Sequence, residues 1–259
     1  PAKPTFVTWP GRSEISEFHE WGAIQTPFSP YGFRADVTPS ALEAVRHRRA
    51  GVQDEGSQLV ATIFAGASAD RSAWLDLCAG PGGKAALLAA IADQGNHRFV
   101  ANEISQIRAD LVRQVVGSHE VWVGDAREIA TRGEGFDAIL ADVPCTGMGA
   151  LRRRPEVRWR RSLADLRELG VLQREISDAA ISILNVGGVF GYATCSPHLA
   201  ETSIAVADIL KKHPELEQID VQPFMPEGLN GGVRDKSMAL WTQRHNTDAM
   251  FLALFRKIS

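Results

Sequence analysis

From Ser72 onward the apolar residues come in short blocks, at 74–78, 98–103, 120–123, 138–142, 189–194 and 249–255. Blocks of this length, bounded by glycine, asparagine or aspartate, read as strands buried on both faces. Longer stretches between them, at 84–92, 105–116, 162–184 and 200–212, carry apolar and charged residues mixed over three turns or more and read as helices. Strands alternating with helices predict an α/β domain with a parallel, doubly wound sheet. The block at 249–255 follows a long irregular stretch, 221–248, and is expected to enter the sheet antiparallel.

Before Ser72 the pattern is less regular. Residues 4–9 read as a strand, Pro10-Gly11, Ser29-Pro30-Tyr31-Gly32 and Thr38-Pro39 as turns, and 13–18 as a short helix capped by Ser13. Residues 1–50 are therefore expected to form a small α+β subdomain, and 51–259 the larger domain, entered through a helix at 53–64. A strand with almost nothing before it suggests equally a domain start and a chain cut from a longer protein.

Composition narrows the setting. The chain has 259 residues, is 44% hydrophobic and carries a formal charge of −3. A net-acidic protein meets nucleic acid only through a local basic patch. No apolar run approaches the roughly 18 residues of a membrane span, and no signal-peptide pattern opens the chain. Three cysteines, Cys78, Cys145 and Cys195, lack paired spacing, so neither a disulfide framework nor a metal site is expected, and a cytoplasmic monomer is the simplest setting.

The candidate chemistry begins where the first strand of the α/β region ends. Asp76-Leu77-Cys78-Ala79-Gly80-Pro81-Gly82-Gly83-Lys84 is a strand, a glycine-rich turn and a helix start. Missing Cβ atoms let a ligand approach the backbone, and free N–H groups at the helix start favour polar or negative groups. Three acids follow at successive strand ends: Glu103, placed to accept from a ribose diol; Asp125, placed to meet an adenine amino group; and Asp142. The glycines do not keep the Gly-x-Gly-x-x-Gly spacing, which weakens a nicotinamide reading.

Two cysteines lie on the same rim. Asp142-Val143-Pro144-Cys145-Thr146-Gly147-Met148-Gly149 follows the fourth strand, and Tyr192-Ala193-Thr194-Cys195-Ser196-Pro197 the fifth. A lone cysteine is usually a small buried hydrophobe, and Cys78 reads that way. A pair on one crevice rim points to a nucleophile, and residue chemistry alone leaves open which of the two it is. No histidine is obviously paired with either; His198 reads as a surface residue at a helix start.

These motifs, with Arg152-Arg153-x-Pro155 and Ala193-Thr194-Cys195-Ser196, resemble the Sun (Fmu) family of RNA 5-methylcytosine methyltransferases. The resemblance runs from about Gly51 to the C-terminus. It takes in Gln53-Asp54-Glu55-Gly56-Ser57, Asn102-Glu103-Ile104-Ser105 with Arg108, and Asp248-Ala249-Met250-Phe251-Leu252-Ala253. It implies a Rossmann-like methyltransferase fold with a mostly parallel seven-stranded sheet. It implies S-adenosylmethionine over Cys78, Ala79, Gly80, Pro81, Gly82, Gly83 and Lys84, with Arg108 and Asp142 nearby, Glu103 on its ribose and Asp125 on its adenine. Cys195 is then the nucleophile that adds to the cytosine ring, Asp142 holds the base edge, Cys145 assists release of the enzyme, and Lys84 either orients Asp142 or meets solvent. The nearest forms act on 16S ribosomal RNA and commonly carry a preceding domain like the antitermination factor NusB, which is not in this sequence. Two departures are visible: Glu201-Thr202-Ser203 replaces the usual Glu-Asn-Glu, and Ala249-Met250-Phe251 the usual Gly-Phe-Phe.

The run 151–161 carries Arg152, Arg153, Arg154, Arg158, Arg160 and Arg161 beside Trp159. Directly after a catalytic-loop candidate, these arginines read as phosphate contacts; Trp159 reads either as a base-stacking ring or, preferably, as the anchor of the loop in the core, and Arg46, His47, Arg48 and Arg49 extend the basic surface. Ribosomal RNA is the expected partner. Transfer RNA as substrate, an amino-group methyltransferase, and a non-catalytic RNA-binding assembly factor on the same fold are the alternatives.

Overall fold

The computed structural model describes residues 4–259. β1 (Thr5–Thr8), β2 (Ile24–Gln25) and β3 (Gly32–Arg34), then a short helix α1 (Glu43–Arg46) and β4 (Ala50–Val52), make a small antiparallel sheet in the order β2-β3-β1-β4. Phe6, Phe18 and Phe33 stack at its core with Leu42 and Ala50. The short helix expected at 13–18 is a 3₁₀ helix at Ile15–Trp21, and Ser13 does not cap it. The Ser13 hydroxyl donates to the Arg49 carbonyl instead, and Glu14 and Glu17 cap the turn by a reciprocal box.

α2 (Glu55–Ala67) then leads to β5 (Ala73–Asp76), α3 (Gly83–Gly95), β6 (Arg98–Glu103), α4 (Gln106–Arg113), β7 (Glu120–Val123) and β8 (Phe136–Asp142). After a short turn of helix, α5 (Val157–Arg160), come α6 (Leu163–Ile183), β9 (Leu184–Thr194) and α7 (Ser203–Lys212). The chain closes through β10 (Leu216–Ile219), β11 (Val233–Arg234), β12 (Ser237–Ala239), α8 (Thr242–His245) and β13 (Phe251–Lys257). Asp54 caps α2 by accepting from Gly56, and Ser162 opens α6 by a capping box with Asp165.

The central sheet runs β11-β12-β13-β9-β8-β5-β6-β7, with β10 also on β13. β7, β6, β5, β8 and β9 are parallel and β13 is antiparallel. The sheet has nine strands where seven were expected. The surplus is short: β10 and β12 share the outer edge of β13, pairing with its two halves, and β11 extends β12. Successive side chains of a strand point to opposite faces. Trp74, Leu140 and Leu254 accordingly pack under Phe64 of α2 and Leu87 and Leu88 of α3, while Leu75, Ile139 and Phe255 pack under Ile176 and Ala180 of α6 and Ile209 of α7. Among the described residues no helix is long and apolar enough to cross a membrane.

The chain leaves β5 toward β6 and β7 on one side and returns at β8 on the other. This reversal opens a crevice at the carboxyl ends of β5 and β8, where ligands of such sheets bind.

Candidate active site

The register fixes what meets there. Asp76 lies beside Leu140 and Ala101, and Asp142 beside Ala193. The turn after β5, the loop after β8 and the loop after β9 therefore leave the sheet side by side. A cleft of about 530 Å³ runs between them, lined by Cys78, Gly80, Glu103, Asp125, Asp142, Cys145 and Cys195 among others.

One half of the cleft is a cradle built on backbone. The buried Glu103 accepts from Gly80 N–H at 3.0 Å and from Ser105 N–H at 3.0 Å. Arg108 stands 3.5 Å from Glu103 and donates to the Gly80 carbonyl. A Cβ on Gly80 would collide with the Glu103 carboxylate and the Arg108 guanidinium, so the turn can approach Glu103 only as glycine. Gly82 holds φ +112° at the start of α3, the left-handed region that disfavours side chains. Asp125 lines the cleft, but Arg127 grips it through Nη2 at 2.6 Å and Nε at 3.1 Å, and that bond holds its carboxyl below the usual range against some burial. An amino group reaching Asp125 must share it with Arg127. Cys78 sits in the floor, where burial and the neighbouring Asp76 push its thiol well above the ordinary value; it packs, as the sequence suggested.

Asp76 is a site group that the sequence reading left as the end of a strand. It is 1% exposed, and no group closes a well-formed hydrogen bond to either carboxylate oxygen among the described residues, the Cys78 N–H lending only a weak one. Burial, then the charge of Asp142, push it up to about 7 against the pull of Lys84. A buried carboxyl so short of donors costs stability unless a ligand supplies them. Its isolation beside the glycine turn was visible only once the fold was built.

The other half holds the thiols. Cys145 and Cys195 approach to 3.4 Å between sulfurs. Lys84 Nζ donates to Asp142 Oδ2 at 2.6 Å, so the lysine faces the carboxylate and not solvent. Burial pulls the Lys84 ammonium down, but Asp142, helped by Cys195 and Asp76, raises it further, and it stays charged. Either thiol can donate in the contact between the two sulfurs, and this bond with burial lifts Cys145 well above the ordinary thiol value. The same bond lowers Cys195, opposed by burial and Asp142 and helped by Lys84. The cations of Lys84 and Arg153 both feel Cys195, whereas the charges about Cys145 are Asp142 and Glu201. Cys195 is thus the better thiolate. His198 caps its own short helix through Nδ1 and is exposed, as expected.

Glu201, fully buried, ties the two loops together. It accepts from Thr146 N–H at 2.8 Å, from Thr146 Oγ1 at 2.5 Å and from Gln173 Nε2 at 3.1 Å, while its carbonyl accepts from Tyr192 and Thr194. Gln173 reaches on to the Pro144 carbonyl at 2.9 Å. Glu201 is visible in sequence only as part of a motif, because the partners that define its role come from loops and helices far along the chain.

The arginine run divides. Arg152 pairs with the buried Asp54 at 2.8 Å and donates to Asn246, and Arg153 forks onto the buried Asp248. These two brace the loop to α2 and to the approach to β13. Arg154 pairs with Glu156 at 3.3 Å, while Arg158, Arg160 and Arg161 join no salt bridge among the described residues. Trp159 does not anchor the loop: it is 82% exposed, and Val157 is the buried residue of α5. Of the N-terminal basic group, Arg46 donates to the carbonyls of Ser40 and Ala41, His47 stands 3.4 Å from Glu43, Arg48 reaches Gln114 and Arg49 pairs with Glu17.

A family model described as 16S rRNA methyltransferase RsmB/F matches residues 63–256. A protein of Mycobacterium tuberculosis strain H37Rv, provisionally named a methyltransferase, is 49% identical over 238 residues, covering 90% of this chain and 51% of its own length. The ribosomal RNA small subunit methyltransferase B of Vibrio cholerae is 36% identical over 181 residues, 68% of this chain and 41% of its own. This chain spans about half the length of the curated relatives it matches. Among solved structures, the crystal structure of PH0851 superposes with a TM-score of 0.85 at 26% identity, over 98% of this chain and 59% of that one. The structure of NSun6 from Pyrococcus horikoshii with SFG superposes with 0.81 at 18% identity, over 100% and 92%, and shares the fold.

Proposed function

The chain belongs to the RsmB/F family of 16S rRNA methyltransferases, and from that premise we propose that it methylates carbon 5 of a cytosine in small-subunit ribosomal RNA through a covalent cysteine adduct. The observation that carries this reading is the pair of sulfurs 3.4 Å apart just past the ends of β8 and β9, lining one cleft with Asp142, whose carboxylate accepts from Lys84.

The cradle fits S-adenosylmethionine. Glu103 offers a buried carboxylate to a ribose diol, the Gly80 turn leaves room for an adenosine against backbone, and the donor-poor Asp76 carboxylate suits a cationic ammonium. Bound there, S-adenosylmethionine supplies an electrophilic methyl group to the cleft. Carbon 5 of cytosine is a poor nucleophile until a thiolate adds to carbon 6 and makes the ring an enamine. Cys195 supplies that thiolate, kept charged by Lys84 and by the Cys145 thiol. Asp142 holds the amino edge and ring nitrogen 3 of the base, where a proton offsets the charge that builds as sulfur adds. After carbon 5 has gained its methyl group, solvent water reaching the Cys145 side of the base takes the carbon 5 proton, the electron pair of that carbon–hydrogen bond forms the carbon 5–carbon 6 double bond, and the carbon 6–sulfur bond breaks with its electron pair returning to Cys195. Cys145, 3.4 Å away and neutral, attends that departure. The target base reaches both sulfur and cofactor only if it leaves its stack, which is cheapest in a loop or single strand.

The test is incubation of the protein with small-subunit ribosomal RNA and methyl-labelled S-adenosylmethionine, then digestion to nucleosides. Label in 5-methylcytidine, absent with Cys195→Ala, is the expected result. Label in another nucleoside, or full label with Cys195→Ala, contradicts the reading.

A further inference from the structure

We propose that Trp159 is a stacking platform for an unpaired base of the RNA strand that enters the cleft, with Arg158, Arg160 and Arg161 holding its phosphates. The proposal rests on the RNA-methyltransferase reading above and goes beyond it by naming the surface that receives the strand.

The argument starts from what α5 does with its residues. Val157 turns inward, 8% exposed, and lines the catalytic cleft beside Cys145 and Cys195. Arg161 lines the same cleft, while Arg158 lines a shallower hollow with Met148 and Trp241. α5 thus stands at the cleft mouth, and Trp159 projects from it 82% exposed, with Leu163 close along the chain 74% exposed. Lone exposed apolar residues need no explanation. Here the exposed indole is set among three arginines that close no salt bridge among the described residues, Glu156 and Asp165 acting on Arg160 and Arg161 only from a distance, although the neighbouring Arg152, Arg153 and Arg154 are all paired. The fold has satisfied the inner arginines and left the outer three, with the one large ring between them, facing solvent.

Free guanidinium groups around an indole suit a polyanion that carries flat rings, which is the chemistry of single-stranded nucleic acid. A duplex offers phosphates but no open base face. An acidic peptide would use the arginines and leave the ring idle. A cytosine drawn into the cleft leaves its neighbours unstacked, and a ring at the mouth recovers part of that loss.

The test is fluorescence anisotropy of a labelled single-stranded oligocytidylate of about a dozen nucleotides against the full chain, at several salt concentrations. Trp159→Ala is expected to weaken binding on the order of tenfold with an unchanged salt slope, because stacking releases no counterions. Trp159→Phe is expected to keep most of the affinity. Arg160→Ala is expected to reduce the slope by about 0.7, one phosphate contact on a single strand. S-adenosylmethionine affinity by calorimetry should be the same in all. Equal strand affinity in wild type and Trp159→Ala overturns the platform and leaves the methyltransferase reading standing. Equal losses in the Ala and Phe variants with weakened cofactor binding overturn it too, since they mark a structural role. If the wild type binds no strand and transfers no methyl group, both readings fall together.

Discussion

Asp76 shows how burial of a single carboxyl can cost stability. In the unfolded chain its proton leaves near the ordinary value of 3.8, but in the folded chain it stays until about pH 7. Between those values the folded chain binds more protons than the unfolded one, so this group's contribution to stability falls as pH rises from about 4 to about 7. The shift corresponds to about 4 kcal/mol once pH exceeds both values. Asp76→Asn is therefore expected to unfold at higher urea than wild type at pH 8, with the gain gone near pH 4, while S-adenosylmethionine binds more weakly. An unchanged urea midpoint at both pH values would mean that the carboxyl carries no such penalty. The same scale decides the cysteines. Their spacing could not distinguish Cys145 from Cys195, since both follow strands and precede polar turns. The distinction comes from the fold: the contact with Cys145 lowers Cys195, and Lys84, 111 positions before it in the chain, adds a cation on the same side.

The elements around the site were legible where they are long and periodic. The strand blocks at 74–78, 98–103, 120–123 and 138–142 fall within a residue or two of β5, β6, β7 and β8; β5, β6 and β8 are buried over most of their length and carry an almost unbroken apolar signature, while the edge strand β7 shows through its β-branched and aromatic residues. β10, β11 and β12 were not legible: strands of two to four residues form only because the edge of β13 is there to pair with. The ties of Arg152 and Arg153 were not legible because their carboxylate partners, Asp54 and Asp248, lie on other elements about 95 residues away. A junction of loops shows the same dependence. Gly149 N–H donates to the Cys195 carbonyl at 2.8 Å, and Ala249 N–H donates to the Gly149 carbonyl at 2.9 Å, so one glycine joins the two thiol loops to the entry of β13. A Cβ there would strike the backbone oxygens of Ala249 and Cys195. Gly149→Ala is expected to cost about 1–3 kcal/mol in urea denaturation, with the slope unchanged. A midpoint equal to wild type would show that the junction has slack.

At the scale of the whole molecule, the chemistry follows from one topological fact. The sheet reverses its winding beside β5, so the cofactor turn, the Asp142 loop and the Cys195 loop share one rim. Four internal ties then set the distances: Lys84 to Asp142, Glu201 to Thr146, Arg153 to Asp248 and Arg152 to Asp54. The central claim is that Cys195 bonds to the base and Cys145 serves its release. The most direct measurement is a denaturing gel of Cys145→Ala and of Cys145→Ala/Cys195→Ala after mixing with small-subunit ribosomal RNA and S-adenosylmethionine. The account predicts a slower, RNase-sensitive protein band in the single variant and none in the double. A band that survives in the double variant, or no band in a single variant that still binds both RNA and cofactor, would contradict it.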